Sequence, residues 1–239
     1  MKIEPKNFEK MLKVLSLYEA GKGYIDPLEI NFSNDEIKVQ QADSSFTTAV
    51  IAKYPVTYFS DYETIGTKRL NVDYLVKTLS KYFKADSTIN VEFGDDELIL
   101  RGEMETFEDA YSTYEICKFE SNIILEDWGF ITDKMNLKKG YKIDSAFLKD
   151  ISNETIIFEY GKELKVIVES DNRRYTRKIP IVSSIGEDEG RRMISGDIFG
   201  RIASNTDGNI WIVFTQEPVI FTQTLDKAII TYIVAPMVM

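Results

Sequence analysis

Three lysines, Lys77, Lys81 and Lys84, are spaced so that at about 100° per residue they fall on one side of a helix. Val72, Leu75, Val76, Leu79, Tyr82 and Phe83 fall on the other. One face of such a helix packs on a sheet, and the other presents a row of ammonium groups. Such a row either meets an anionic partner or is simply a solvated surface. An earlier helix has the same character, with Phe8, Met11, Leu12 and Leu15 on one face and Lys10 and Lys13 away from it. The acids Asp95, Asp96, Asp127, Asp133, Asp188 and Glu189 are of the type that holds Mg²⁺. They fall in turns and a connecting stretch, where acids serve turn chemistry and solubility. No Gly-rich phosphate loop or nucleophile–base pair accompanies them. The chain is therefore expected to carry no catalytic residues, no metal site and no cofactor.

Composition narrows the options. The 239 residues contain no histidine, which removes the commonest general base and most zinc sites. The single cysteine, Cys117, lies in an alternating strand-like run and can form neither an internal disulfide nor a CxxC site. The net charge of −10 argues against indiscriminate binding of polyanions, so any nucleic-acid contact must come from a local basic face. Hydrophobic residues make up 44%, enough for substantial cores. No signal peptide and no long apolar span is evident, so an intracellular protein is expected, with no membrane partner.

The lysine helix belongs to a repeated unit. Leu70 to Glu103 reads as strand, helix and two strands, and Met193 to Thr224 repeats that order. The first half adds a short strand at 2–5, a helix capped by Asn7 and running to Ala20, and strands Leu28–Phe32, Glu36–Ala42 and Phe46–Lys53. Ile65–Leu70, the lysine helix, Thr88–Phe93, Glu97–Arg101 and Phe107–Phe119 complete it. Residues 120–139 lack a sustained period and read as a connector. The second half runs Gly140–Ile143, a short helix Ser145–Ile151 capped by Asp144, then Thr155–Tyr160, Leu164–Glu169 and Arg173–Ile181. A polar loop leads to Arg191–Ser195, helix Gly196–Asn205, and strands Asn209–Phe214, Val219–Gln223 and Ala228–Val234. The expected class is α+β, with two topologically similar domains at 1–118 and 140–239, each having two helices packed on antiparallel sheet.

Four stretches carry a family resemblance: Gln40-Gln41-Ala42-Asp43-Ser44-Ser45, Asn71–Lys84 with its following strands, Ser112–Ile116, and Thr231-Tyr232-Ile233-Val234-Ala235-Pro236. In this order the chain resembles the DNA sliding clamps of the proliferating cell nuclear antigen type, archaeal members most closely. The resemblance implies a ring of three identical subunits, with helices lining the hole and sheets outside. It turns Lys10, Lys13, Lys77, Lys81, Lys84, Lys149 and Arg201 toward encircled double-stranded DNA, contacted without sequence reading. It implies ring closure through Asp109, Tyr111 and Thr113 of one subunit against Arg173, Arg174, Tyr175, Arg177 and Lys178 of the next. Opposite charge would then steer the subunits together. It also implies a partner-peptide pocket at Ala42, Thr47, Ala49, Trp128, Gly129, Phe130, Val234, Ala235 and Pro236. DNA polymerase, clamp loader, flap endonuclease and ligase are the partners it implies. The alternatives are a checkpoint-type subunit of a mixed ring, a viral clamp-like factor acting as a monomer and, more distantly, a magnesium-dependent nuclease or phosphatase.

Overall fold

The computed structural model describes residues 1–94, 97–103, 106–110, 140–151, 155–170, 173–186, 189–215 and 218–237. Asp95, Asp96, Tyr111, Thr113, Cys117, Asp127, Trp128, Gly129, Phe130, Asp133 and Asp188 lie outside the described residues, as does the 120–139 connector. The chain forms two compact units. Unit 1 holds Met1–Gln41 and Ala52–Gly129, and unit 2 holds Ala42–Ile51 and Phe130–Met239.

Unit 1 begins with β1 (Lys2–Ile3), α1 (Pro5–Ser16), β2 (Leu28–Phe32), β3 (Glu36–Ala42) and β4 (Thr48–Pro55), the last contributing its residues from Ala52 onward. It continues with β5 (Gly66–Leu70), α2 (Val72–Tyr82), β6 (Ile89–Phe93), β7 (Glu97–Arg101) and β8 (Thr106–Ala110). One sheet has the order β1-β6-β7-β8, and a second set runs β4-β3-β2-β5. Helices α1 and α2 pack on each other. Phe8, Met11, Leu12 and Leu15 of α1 and Leu75, Val76 and Leu79 of α2 are buried. Phe59 sits edge-on to Phe8 at 5.9 Å and to Phe32 at 6.0 Å between ring centres.

Helix α1 starts three residues earlier than Asn7 would have started it. Pro5 occupies the first turn, where its missing N–H costs nothing, and Asn7 instead donates from Nδ2 to Glu4 Oε2 at 3.2 Å. It ends at Leu17, whose φ of 53° and ψ of 51° stop the helix before Gly21 and Gly23 are reached. Helix α2 is capped by Asn71, whose side chain accepts from Tyr74 N–H at 3.0 Å. Asp26 adds a second cap, accepting from Val72 N–H at 2.9 Å, and Asp73 fastens the loop before it by accepting from Gly23 N–H at 2.7 Å.

Unit 2 contains β9 (Gly140–Asp144), a 3-10 turn (Ser145–Phe147), β10 (Thr155–Tyr160), β11 (Leu164–Ser170), β12 (Arg173–Ile179) and β13 (Ile181–Ile185). Then come β14 (Gly190–Ser195), α3 (Gly196–Ser204), β15 (Asn209–Phe214), β16 (Val219–Leu225) and β17 (Ala228–Val234). One sheet has the order β12-β11-β10-β14, and the other strands run β13-β9-β15-β16-β17, with β4 beside β17. Helix α3 packs on β10 and β14. Phe158 meets Phe199 of α3 at 5.8 Å, and Tyr160 stacks on Phe214 at 4.1 Å.

Strand by strand, β1-β6-β7-β8 matches β9-β15-β16-β17, and β4-β3-β2-β5 matches β12-β11-β10-β14. The two repeats therefore share one topology, the expected α+β class. They differ at two places. The expected helix after β9 is a single 3-10 turn, capped by Asp144 accepting from Ala146 N–H at 2.9 Å. Asp150, at φ 65°, ends that segment, and Arg177 donates to the carbonyls of Phe147 and Lys149 that a longer helix would have used internally. The second difference is β13. Pro180 ends β12, and the polar stretch beyond it, expected as loop, pairs with β9. In the first repeat the corresponding contact is only the Lys2–Ser60 bridge.

Candidate nucleic-acid face, assembly edges and partner ledge

The outward face of α1 carries Lys6, Lys10 and Lys13, with Lys6 exposed and Lys10 and Lys13 half-exposed. Lys13 pairs with Glu9 one turn earlier and lies 5.8 Å from the centre of the Tyr18 ring. The outward face of α2 carries Tyr74, Lys77 and Lys81, all exposed, and Lys84 follows just past the helix end, also exposed. Lys81 lies 4.7 Å from the centre of the Tyr82 ring, and the Tyr82 hydroxyl beside it holds its ammonium pKa above the ordinary lysine value. Tyr82, expected on the buried side, is 48% exposed, because the helix gives out there and Phe83 takes the buried position. Lys6 was missed in the sequence although it precedes Lys10 by one turn.

Unit 2 places its two expected cations differently. Arg201 sits on α3 with only 15% of its side chain exposed, its Nε donating to Asp197 at 3.2 Å. Lys149 is exposed, but in the turn after the 3-10 segment and next to Asp150.

Among the described residues six strands end a sheet, and two of them, β8 and β12, correspond to β17 and β4 of the other repeat. β8, which contains Asp109, has only β7 beside it, and β12 has only β11, among the described residues. β12 is solvated along almost its whole length, with Arg173, Arg174, Tyr175 and Lys178 exposed and Arg177 half-exposed. Three of its cations, Arg174, Arg177 and Lys178, are engaged within the chain. Arg174 pairs with Glu169 at 3.6 Å and Glu159 at 3.8 Å. Lys178 pairs with Glu163, whose carboxyl is held below its ordinary pKa by the hydrogen bond from Lys178 first and from Lys165 next. Arg177 donates from Nε to the Tyr175 hydroxyl at 2.8 Å and from Nη1 to Phe147 O at 3.2 Å and Lys149 O at 3.1 Å.

A third site lies within unit 2, where the loop after β3 meets the C-terminal tail. The buried carboxylate of Asp43 organises the loop. Its Oδ1 accepts from Thr48 N–H at 2.6 Å, and its Oδ2 accepts from Ser45 N–H at 2.9 Å and the Thr47 hydroxyl at 3.2 Å. This lifts Phe46, at φ 55°, until 48% of it is exposed. Thr47 O then accepts from Ala235 N–H at 2.8 Å, and Met237 N–H is bound by Met193 O at 2.8 Å, so the tail is pinned at both ends. Ala42 and Thr47 are half-buried, and Ala235, Pro236 and Met237 are exposed. Ala49 and Val234 are fully buried and form a floor; the small side chain at Ala49 is packed over and opens no hole. The surface is thus a ledge edged by Phe46, Pro236 and Met237. The aromatic at position 46 follows a Ser-Ser pair in the sequence, but only the Asp43 hydrogen bonds reveal that it points outward.

No family model and no curated protein matches the chain in sequence. The fold does match: it is that of the sliding clamps of the proliferating cell nuclear antigen type. Proliferating cell nuclear antigen from A. fulgidus, in a structure with the C-terminal region of FEN-1 bound, superposes with a TM-score of 0.76 at 15% identity, covering 100% of this chain and 98% of that one. The protein of that name from Thermococcus kodakaraensis gives 0.73 at 14% identity, with 99% of each chain covered. The PCNA2–PCNA3 complex from Sulfolobus tokodaii gives 0.71 at 16%, with 98% of each covered.

Proposed function

We propose that this chain is a DNA sliding clamp and processivity factor that closes head to tail into a three-membered ring around duplex DNA. The observation that carries the reading is a strand adjacency repeated in the topology. β4, the fourth strand of the first repeat, lies beside β17, the last strand of the second. The equivalent strands, β12 and β8, each end a sheet. Pairing β8 of one copy with β12 of the next repeats the β4–β17 junction between molecules. Such heterologous contacts form a ring when the rotation closes.

On this reading Lys10, Lys13, Lys77, Lys81 and Lys84 face phosphate. Contacts of that kind weaken with a slope of about −0.9 per neutralised phosphate in log K against log salt. A few of them keep the ring loosely centred while threading provides retention. The net charge of −10 keeps nucleic acid off the remaining surface. The ledge at Phe46, Pro236 and Met237 receives peptide segments of client enzymes: polymerase, flap endonuclease, ligase and the loader that opens the ring. Support for that role is the exposed apolar edge set on a pinned backbone, together with the FEN-1 segment bound to the A. fulgidus protein of the same fold. The chain acts by tethering, without a reaction of its own.

Retention after loading on nicked circular duplex, compared with the same duplex cut once, tests the proposal. The expected result is long residence on the circle and rapid loss from the linear form. Equal residence on both contradicts encirclement.

A further inference from the structure

The two repeats share a topology but not a charge. Segment Pro5–Ser16 carries Lys6, Lys10 and Lys13 against Glu9, and residues 72–84 carry Lys77, Lys81 and Lys84 against Asp73, so each has a net charge of +2. The equivalent segments of the second repeat are reversed or empty. Residues 144–151 carry Asp144 and Asp150 against Lys149, a net of −1, and α3 carries Asp197 against Arg201, a net of zero. Arg201 is moreover turned onto Asp197 and mostly covered.

We propose that duplex contact in this protein is carried by the helices of the first repeat alone, with Lys6 as a contact residue in addition to those expected from sequence, and with the Asp197–Arg201 pair closing the second repeat to phosphate. The inference rests on the clamp reading and assigns the work within it. A fixed carboxylate beside a guanidinium competes directly with phosphate for the same donors, whereas the exposed ammonium groups of Lys6, Lys77, Lys81 and Lys84 release their counterions on contact. Three basic and three near-neutral walls then alternate around the hole. The duplex leans on the basic walls and is not held equally by every helix.

The test is the salt slope of equilibrium binding to a short linear duplex by the full-length protein. Lys6→Ala with Lys10→Ala, and Lys77→Ala with Lys81→Ala, each remove two contacts, and each is expected to reduce the slope by about 1.8 for every subunit that touches the duplex. Lys149→Ala leaves the slope unchanged. Arg201→Ala likewise leaves it unchanged, because that guanidinium is engaged by Asp197 and mostly covered. Lys6, Lys77, Lys81 and Lys149 are exposed, and circular dichroism is expected to report unaltered folding in every variant. A loss of slope in Lys149→Ala or Arg201→Ala as large as in the first-repeat variants overturns the inference and leaves the clamp reading standing. Absence of any salt-dependent duplex binding by the unaltered protein also overturns the inference, whereas the clamp reading falls only with equal residence on circular and linear duplex.

Discussion

Replacing Asp43 isolates the device that builds the partner ledge. Its carboxylate is 6% exposed and accepts three hydrogen bonds, of which the 2.6 Å bond from Thr48 N–H is the least replaceable, because Thr48 is 2% exposed. Ser45 is exposed, so water can satisfy its N–H after substitution. Leaving the buried Thr48 donor without a partner costs about 1–3 kcal/mol, and the two outer bonds add less than their nominal value because solvent replaces them. Asp43→Ala is therefore expected to destabilise by about 2–4 kcal/mol. Asp43→Asn keeps one acceptor oxygen for Thr48 and is expected to cost about 1 kcal/mol. Urea denaturation read by tryptophan fluorescence gives both values, since Trp211 lies in β15 of the same unit. In the Ala variant the Thr47–Ala235 bond loses its support, so amide exchange at Ala235 and Met237 is expected to speed up beyond the global change. An Ala variant within about 0.5 kcal/mol of the unaltered protein, or an Asn variant as damaged as Ala, refutes the assignment of Asp43 as organiser.

Three further outcomes are expected. Arg177→Ala removes the Nη1 donor shared by the carbonyls of Phe147 and Lys149, so hydrogen exchange across residues 145–151 accelerates and stability falls by about 1 kcal/mol; Arg177→Lys restores protection only in part, because lysine lacks the Nε–H that anchors the side chain on the Tyr175 hydroxyl. Glu163 titrates below the ordinary glutamate value in an NMR titration, and Lys178→Ala brings it back toward that value. Because the folded pKa is depressed, the stabilisation is present above the unfolded pKa and is lost as pH falls through the folded one. Gly140→Ala destabilises by about 1–3 kcal/mol, since an added Cβ would stand 2.7 Å from Ile212 O, a backbone atom that cannot move aside without shifting β15; unchanged stability would contradict that packing.

The regular strands were legible because alternation and turn residues agree: Leu28–Phe32, Glu97–Arg101, Thr155–Tyr160, Asn209–Phe214 and Ala228–Val234 have the bounds their patterns predict. The two basic helices were legible for the same reason, with strong apolar stripes on α1 and α2. What was not legible depends on distant partners. The 3-10 turn looks helical in sequence, yet a guanidinium on β12 caps its carbonyls. β13 looks like loop, yet β9 offers it an edge. The cations of β12 look available in sequence, but local carboxylates and carbonyls engage Arg174, Arg177 and Lys178, which only the fold reveals. Arg201 looks equivalent to Lys77, but an aspartate one turn away occupies it.

Threading requires a closed assembly, so the mass of the protein in solution bears on the account most directly. Sedimentation equilibrium across a range of concentrations is expected to give three times the 27.5 kDa chain mass, falling to the single-chain value when a proline is placed in the middle of β12 at Thr176. A single-chain mass for the unaltered protein at every concentration would contradict it.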